Sequence, residues 1–245
     1  MRLYITATPI GNLEDISMRA LRVLAEVDFI LCEDTRVTKK LLKHYKIVTA
    51  AISYHQHSSG KKINEIIHLL KKDKDLALVT DAGTPGISDP GGKLIAAILE
   101  KLPKCKIESI PGPSAVTAAL SISGIPTDKF VFMGFPPHKK GRQTFIKRIA
   151  DSIYPVVVYE AKHRIIKFLD ELENLNKDIE KHNNAVETCH GASKEKKSPV
   201  TSVVVCRELS KMHETVYRGE LKSIIEKIKN HKDDQKGEFV IVIGK

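Results

Sequence analysis

The chain has 245 residues, of which 42% are hydrophobic, and its formal net charge is +10. This length suits two α/β domains of ordinary size, and this hydrophobic content excludes a globally disordered chain. No apolar run approaches the roughly 20 residues that cross a bilayer, and the first residues resemble a strand rather than a signal peptide, so we expect a cytoplasmic protein. The excess of Lys and Arg suits a polyanionic partner such as nucleic acid, although a generally lysine-rich surface is an equal alternative.

Strand-like and helix-like segments alternate through the first half of the chain. Short apolar runs predict buried strands at residues 3–8, 28–32, 76–80 and 106–110. An amphipathic helix is predicted by Ile63, Ile66, Ile67 and Leu70, which follow the i, i+3, i+4, i+7 spacing. Further helices are predicted after Glu14 and Asp15 and over residues 93–102. This alternation is typical of a mostly parallel sheet covered by helices.

The prolines and glycine at 111–113 punctuate the chain near its middle, and they predict a boundary between domains 1–113 and 114–245. A small-residue helix at 114–123 opens the second series, and a polar stretch at 181–199 predicts a mobile loop. The remaining predicted elements are strands at 130–133, 155–159, 202–206 and 238–243 and helices at 163–175 and 221–228.

Three loops rich in glycine and proline follow predicted strands, at residues 7–12, 80–92 and 111–115. An open α/β sheet binds its ligand at the carboxyl ends of its strands, and glycine allows the backbone to approach that ligand closely. Ordinary turns are the alternative for any one loop, but three at one edge favour a ligand site. No G-x-G-x-x-G is present, and Leu94 stands where a P-loop needs Ser or Thr, which argues against dinucleotide and ATP binding.

Two charged segments also follow predicted strands, at residues 33–36 and 159–164, and both can orient a hydroxyl or clamp a phosphate. For either segment alone, acids at a helix N-terminus beside a solvated Arg are an equal alternative. A third segment is basic and free of acids, and it follows a loop that carries Phe135. Its cations suit a phosphate backbone, with a solvated helix face as the alternative. They are Lys139, Lys140, Arg142, Lys147 and Arg148.

The cysteines are widely spaced, which argues for free thiols in place of disulfides. A zinc site formed by Cys189, His190, His182 and Cys206 is conceivable, but its spacing fits no familiar ligand pattern. The His55-Gln56-His57 segment lacks accompanying ligands and is interpreted as a polar loop, or at most as an RNA contact. No metal is therefore predicted.

Nine blocks in chain order resemble the bacterial 16S ribosomal RNA (cytidine-1402-2'-O)-methyltransferases of the tetrapyrrole methylase superfamily. In the first half these are residues 7–15, 32–36, 81–91 and 111–115, the third of which begins with Asp81-Ala82-Gly83-Thr84-Pro85. In the second half they are residues 123–128, 134–137, 159–164, 207–211 and 236–239. The resemblance covers nearly the whole chain.

The resemblance implies two αβα domains of the class III methyltransferase type with S-adenosylmethionine in the inter-domain cleft. It also implies a homodimer that acts on 16S ribosomal RNA, or on the small ribosomal subunit, and methylates the ribose of the decoding-centre cytidine 1402. The residues that it implies for cofactor binding are Pro9, Gly11, Asp81, Ala82, Gly83, Thr84, Ile87, Ser114, Ala115, Met133, Glu208 and Leu209.

In the reaction implied by the resemblance, a positioned base or a nearby cation helps to remove the hydroxyl proton. The sequence leaves four candidates open: Asp34, Glu160, His163 and Lys211. Predicted RNA contacts are Arg36, Lys139, Lys140, Arg142 and Arg164. Two other functions stay open at this point: a tetrapyrrole (corrin precursor) C-methyltransferase and a non-catalytic RNA-binding module.

Overall fold

In the computed structural model, which describes residues 1–56, 58–188 and 199–244, the strands form two separate five-stranded sheets. One sheet lies in each of two units, Met1–Ser114 and Ala115–Lys245. The division between the units lies one residue after the boundary predicted from the sequence. The side chains of residues 185–188 are outside the description.

The first unit contains a fully parallel sheet with the strand order β3-β2-β4-β1-β5. Its strands are β1 (Arg2–Thr6), β2 (Phe29–Cys32), β3 (Ala50–Ser53), β4 (Leu76–Leu78) and β5 (Lys106–Ile110). Its helices are α1 (Met18–Glu26), α2 (Thr35–His44), α3 (Gly60–Lys71) and α4 (Gly92–Lys101). The parallel sheet expected from the alternation is confirmed in this unit.

Both faces of this parallel sheet are buried, which explains why its strands are continuous apolar runs. Leu76 and Leu78 of β4 belong to one core cluster with Leu70 of α3. Ala77, which points to the opposite face, belongs to a second cluster with Leu24 of α1. Since all five strands run in the same direction, the segments after them lie at one edge of the sheet.

The second unit contains a mixed sheet with the order β6-β7-β10-β8-β9, in which only β6 and β7 are parallel. Its strands are β6 (Val131–Gly134), β7 (Val156–Ala161), β8 (Ser202–Arg207), β9 (Thr215–Gly219) and β10 (Glu238–Gly244). Its helices are α5 (Ala115–Ser123), α6 (Arg142–Asp151), α7 (Ile165–Thr188) and α8 (Leu221–Asn230). The parallel pairing of the first unit does not extend to this one, because three of its four strand pairs are antiparallel.

Helix α7 is longer than the sequence predicted, and it replaces the start of the loop expected at 181–199. Its buried face continues from Phe168 and Leu172 to Ile179, which holds the helix against the core for two more turns. Asn176 then exchanges two hydrogen bonds with the backbone of Val200, of 2.8 and 2.9 Å. The loop prediction is therefore wrong for residues 181–188, and residues 189–198 lie outside the described part of the chain.

Candidate active site

The three loops predicted to meet at one sheet edge are joined by hydrogen bonds in the first unit. The backbones of Thr8 and Gly83 exchange hydrogen bonds of 2.9 and 3.0 Å, which link the loops after β1 and β4. The hydroxyl of Thr84 donates to the carbonyl of Pro113 at 3.2 Å, which adds the loop after β5. The expectation that these loops share one edge is confirmed.

Gly83 stands where the loops after β1, β4 and β5 approach most closely. Its φ of +84° lies in the left-handed region, and an added Cβ would lie 3.4 Å from Ile10 Cγ2 and 3.8 Å from the Pro113 carbonyl oxygen. A side chain at this position would therefore be strained whatever space is available. Pro9 is buried beside it, whereas Gly11, Ala82 and Ile87 are exposed and Ser114 is half-buried.

A polar cleft of about 510 Å³ opens next to these loops, at the carboxyl ends of β2, β3 and β4. Three carboxyl groups and one guanidinium line it, so its net charge is negative where the chain as a whole is positive. The residues around the cleft are Glu33, Asp34, Thr35, Arg36, Ser53, His55, Gln56 and Asp81.

Asp34 caps the N-terminus of α2 and is held by Arg36. Its Oδ1 accepts the backbone N–H of Arg36 at 2.8 Å, and its Oδ2 accepts Arg36 Nη2 at 2.6 Å. The hydrogen bond from the Arg36 side chain, followed by that from the Arg36 backbone, lowers the pKa of Asp34 to about 2. Asp34 is therefore ionised at neutral pH and is a weak proton acceptor.

Asp81 lies beside Asp34, and its pKa is shifted in the opposite direction. Its Oδ1 accepts the backbone N–H of Asp34 at 3.2 Å. Although the residue is exposed overall, partial desolvation of the carboxyl group raises its pKa, and the neighbouring Asp34 carboxylate adds to that rise. Of these two carboxylates, Asp81 is the better proton acceptor.

Five residues that line the cleft were not among the predicted site residues: Glu33, Thr35, Ser53, His55 and Gln56. The short strand β3, which delivers Ser53 and His55 to this edge, was not predicted from the sequence. The sequence did single out the polar segment at residues 55–57. Because β3 was not predicted, nothing placed this segment at the edge of the sheet, and it was interpreted as a polar loop. His57 lies outside the described residues.

In the second unit, the predicted cofactor residues lie near the ends of β6 and β8, and Ala115 begins α5. Met133 is half-buried against the core and Leu209 is buried. Glu208 has a positive φ of 52°, and its carboxylate accepts the backbone N–H of Glu238 at 2.8 Å. A non-glycine residue held in this strained conformation is typical of functional segments.

Lys211 is unsuited to the role of base that the sequence left open for it. Its Nζ donates to Glu238 at 2.8 Å and to Glu208 at 3.0 Å. Partial burial lowers its pKa, but the hydrogen bonds to the two carboxylates outweigh that effect, and the pKa is raised. The side chain is therefore a cation at neutral pH, which excludes it as the base and leaves it the role of nearby cation that the sequence also allowed.

Glu160, Arg142 and Arg164 form a buried ion cluster with Glu171, which corrects the roles predicted for Glu160 and Arg142. Arg164 Nη2 lies 2.8 Å from Glu160 Oε1, Arg142 Nη1 lies 3.5 Å from Glu160 Oε2, and Arg142 Nε lies 2.8 Å from Glu171. Glu160 is 1% exposed and Arg142 is 4% exposed. Glu160 is thus enclosed by cations and unavailable as a base, and Arg142 is unavailable to RNA phosphates. Arg164, whose side chain is 12% exposed, is engaged by Glu160.

The ion cluster holds the loop before α6 by its backbone. Arg164 Nη1 donates to the carbonyl of Pro136 at 3.2 Å, and Arg142 Nη1 donates to that of Pro137 at 3.1 Å. A sequence signal for the burial of Arg142 exists, because it shares the i, i+4, i+7 face of α6 with the buried Ile146 and Ile149.

The same loop exposes the other predicted contacts. Lys139 and Lys140 are exposed, and so is Phe135, whose ring lies 5.3 Å from that of Tyr159. His163 is also exposed, and its ring stacks on that of His138 with centroids 6.5 Å apart. These side chains keep the accessibility that their predicted roles require.

Comparison with known proteins decides the family. The Tetrapyrrole (Corrin/Porphyrin) Methylases match residues 2–225. The protein "Ribosomal RNA small subunit methyltransferase I" of Hydrogenobaculum sp. is 42% identical, over 100% of this chain and 96% of that protein. The protein of the same name from Thermotoga maritima is 36% identical, over 99% of this chain and 98% of that protein. The chain belongs to the ribosomal RNA small subunit methyltransferase I family, within the tetrapyrrole methylases.

Solved structures of other proteins share the fold of this family member. Diphthine synthase superposes with a TM-score of 0.66 at 16% identity, covering 100% of this chain and 90% of that one. The methyltransferase CobJ superposes with a TM-score of 0.64 at 16% identity, covering 99% and 93%. The predicted fold class of two α/β domains of the tetrapyrrole methylase type is confirmed.

The loops of the first unit of this methyltransferase fit the methyl donor of the family. S-Adenosylmethionine carries a cationic sulfonium, and the adjacent cleft supplies the carboxylates of Asp81 and Glu33. Ile87, which is 47% exposed, offers an apolar surface beside the exposed backbone of Ala82 and Gly86. Negative charge, an apolar contact and close backbone approach suit a small cationic nucleoside.

The thiols and helices of the described ranges add no further site. Cys32, Cys105 and Cys206 are buried free thiols, and burial raises the pKa of Cys206 to about 11. Within residues 1–56, 58–188 and 199–244, no group of three or more His, Cys, Asp or Glu side chains is arranged to hold a metal ion. Cys189 and His190 lie outside these ranges. None of the helices described is both long and apolar enough to cross a membrane.

Proposed function

We propose that this chain transfers a methyl group from S-adenosylmethionine to the ribose 2'-oxygen of cytidine 1402 in 16S ribosomal RNA. The observation that carries the proposal is the full-length similarity, at 36–42% identity, to proteins named ribosomal RNA small subunit methyltransferase I. The cleft at the carboxyl edge of the first sheet supports it, because it joins charged side chains to the loops that suit the donor.

S-Adenosylmethionine supplies an activated methyl group, so the chain itself must align the ribose oxygen and help to remove its proton. In the cleft, Asp34 is held as a carboxylate by Arg36 and can orient a hydroxyl. Asp81, with its raised pKa, is the stronger acceptor for the hydroxyl proton, and we add it to the candidates for the base. His163 stays in that set because it is exposed.

Two other functions receive less support. A solved uroporphyrin-III-C-methyltransferase shares the fold at 15% identity, which indicates architecture alone. A non-catalytic RNA-binding module would not need the joined loops that suit a methyl donor. The cytoplasmic location, the homodimer and the small ribosomal subunit as partner are part of the same proposal, and sedimentation of the purified protein tests the homodimer.

The proposal is tested by mass mapping of 16S ribosomal RNA from cells with and without the gene. We expect one methyl group on the cytidine ribose that is present only with the gene and is restored by purified protein and S-adenosylmethionine. A methyl group on a base, on another nucleotide, or on no part of the small-subunit RNA would contradict the proposal.

We expect S-adenosylmethionine to bind in the absence of RNA, because the loops after β1, β4 and β5 are already joined in the first unit. A ligand at one hundred times its dissociation constant stabilises the folded state by about 2.7 kcal/mol. Thermal unfolding and calorimetry measure this effect, with S-adenosylhomocysteine as a competitor and adenosine as the control. No stabilisation at millimolar donor would contradict the assignment.

Neutralising Lys139 and Lys140 with glutamine should weaken RNA binding without changing donor affinity, because both side chains are exposed beside the exposed Phe135. Each lost phosphate contact lowers the slope of log affinity against log salt by about 0.7 for single-stranded RNA. Fluorescence titrations over a range of salt measure the slope. The matched control replaces Lys227 and Lys232, which are also exposed in the second unit. Equal slopes for both variants would remove these lysines from the RNA-binding surface.

A further inference from the structure

Helix α2 carries a row of four cations, of which the predicted site and the proposed function use only Arg36. Arg36, Lys39, Lys40 and Lys43 follow the i, i+3, i+4, i+7 spacing, and all four side chains are exposed. The opposite side of the helix is buried through Thr38 and Leu42. The packing of α2 therefore fixes which face the four cations occupy.

The composition of this helix sets it apart from the other α-helices described. It contains no Asp or Glu, whereas every other charged α-helix in the described ranges carries at least one acid within its bounds. Like charges three and four residues apart destabilise a helix, so this arrangement has a cost that a merely solvated face does not require. For Lys39, Lys40 and Lys43, no acidic partner lies within 4.0 Å among residues 1–56, 58–188 and 199–244.

The row also begins at the candidate active site. Arg36 lines the cleft, and its side chain is 87% exposed although its guanidinium pairs with Asp34. Lys43 lies seven residues further along the helix, about 10 Å away at 1.5 Å per residue. The cations thus form a continuous path over the surface of one rigid element that ends at the negatively charged cleft.

We propose that the exposed face of α2, formed by Arg36, Lys39, Lys40 and Lys43, binds the phosphate backbone of the RNA strand and leads the target nucleotide into the cleft. This inference rests on the proposed function. The backbone is polyanionic, so it is attracted to the row of cations, whereas the carboxylates of the cleft repel phosphate and accept hydrogen bonds from hydroxyl or amino groups. A nucleotide delivered from this face is therefore oriented with its phosphates outside and its nucleoside inside.

The test replaces Lys39, Lys40 and Lys43 with glutamine in the full chain and leaves Arg36 in place. The probe is a fluorescent single-stranded RNA of the decoding-site sequence. Three lost phosphate contacts lower the slope of log affinity against log salt by about two units. The affinity of the variant relative to wild type should therefore be roughly a hundredfold lower at 0.1 M salt than at 1 M salt. Calorimetry should give an unchanged S-adenosylmethionine affinity, and circular dichroism should give an unchanged helix content.

The matched control replaces Lys61, Lys71 and Lys72, three exposed lysines of the same unit that lie on or just after α3, with glutamine. An RNA affinity and salt slope equal to wild type in the α2 variant, or an equal loss in both variants, would overturn the inference. Methylation of small ribosomal subunits by the wild-type protein is measured in parallel. If the wild type does not methylate them but the α2 variant loses RNA binding, the surface stands and the proposed function fails.

Discussion

Replacing Arg142 with methionine is expected to destabilise the protein by about 3–5 kcal/mol, because it removes one member of a buried ion cluster. Glu160 and Arg142 are 0% and 4% exposed at their side chains, and Glu171 is 15% exposed. Without Arg142, Glu171 loses its guanidinium partner, and the Pro137 carbonyl loses its donor. Urea unfolding monitored by circular dichroism measures the change.

The control is Lys139→Met, three residues earlier in the chain and exposed, which should change stability by less than about 0.5 kcal/mol. An Arg142→Lys variant should recover only part of the loss, because an ammonium group cannot reproduce the two-sided contacts of the guanidinium. If Arg142→Met unfolds at the same urea concentration as wild type while RNA binding falls, Arg142 contacts RNA at the surface. Its exclusion from the RNA contacts on the ground of burial would then be wrong.

The sequence predicted the first sheet better than the second for a physical reason. Strands that are covered on both faces are continuous apolar runs, whether they pair in parallel or antiparallel. The apolar runs Val203–Cys206 and Phe239–Ile243 therefore did not indicate antiparallel pairing. The two edge strands β3 and β9 were missed because their residues are only partly buried and the segments are short. For α2 the sequence offered only a possible start at residues 33–36, since just Thr38 and Leu42 of its ten residues are buried.

At the candidate site, backbone requirements were predictable and charge roles were not. The glycines and prolines of the three loops located the sheet edge, because few other residues form such turns. Composition could not separate Arg142, which is buried, from Lys139, which is exposed. Glu160 lies on the same face of β7 as the buried Val156 and Val158, but Val157 on the other face is buried as well, so the period of this strand did not mark Glu160 as interior. The helical period of α6 would have identified Arg142 as interior.

The second large effect is expected from Asp81→Asn, which should lower the methyl-transfer rate by about 10²- to 10⁴-fold, the range that general base catalysis contributes. Asp81 and Asp34 lie side by side, but Asp34 is held ionised by Arg36, whereas desolvation raises the pKa of Asp81. Asparagine keeps the size of the side chain and its acceptor oxygen, so the hydrogen bond from the Asp34 backbone is retained and the proton-accepting function is lost.

The pH dependence separates a proton acceptor from a structural side chain at Asp81. In the wild type, the rate should fall on acidification through the raised pKa of Asp81, above the value of about 3.9 for an ordinary aspartate. In Asp81→Asn that acidic limb should disappear.

Asp34→Asn is the matched control in the same cleft, and it should retain the limb because the pKa of Asp34 is about 2. Single-turnover methylation at saturating donor, with donor affinity measured by calorimetry, isolates the transfer step. A loss of donor affinity alone, with the rate at saturation and the acidic limb unchanged, would make Asp81 a donor-binding residue and return the role of base to His163 or Asp34.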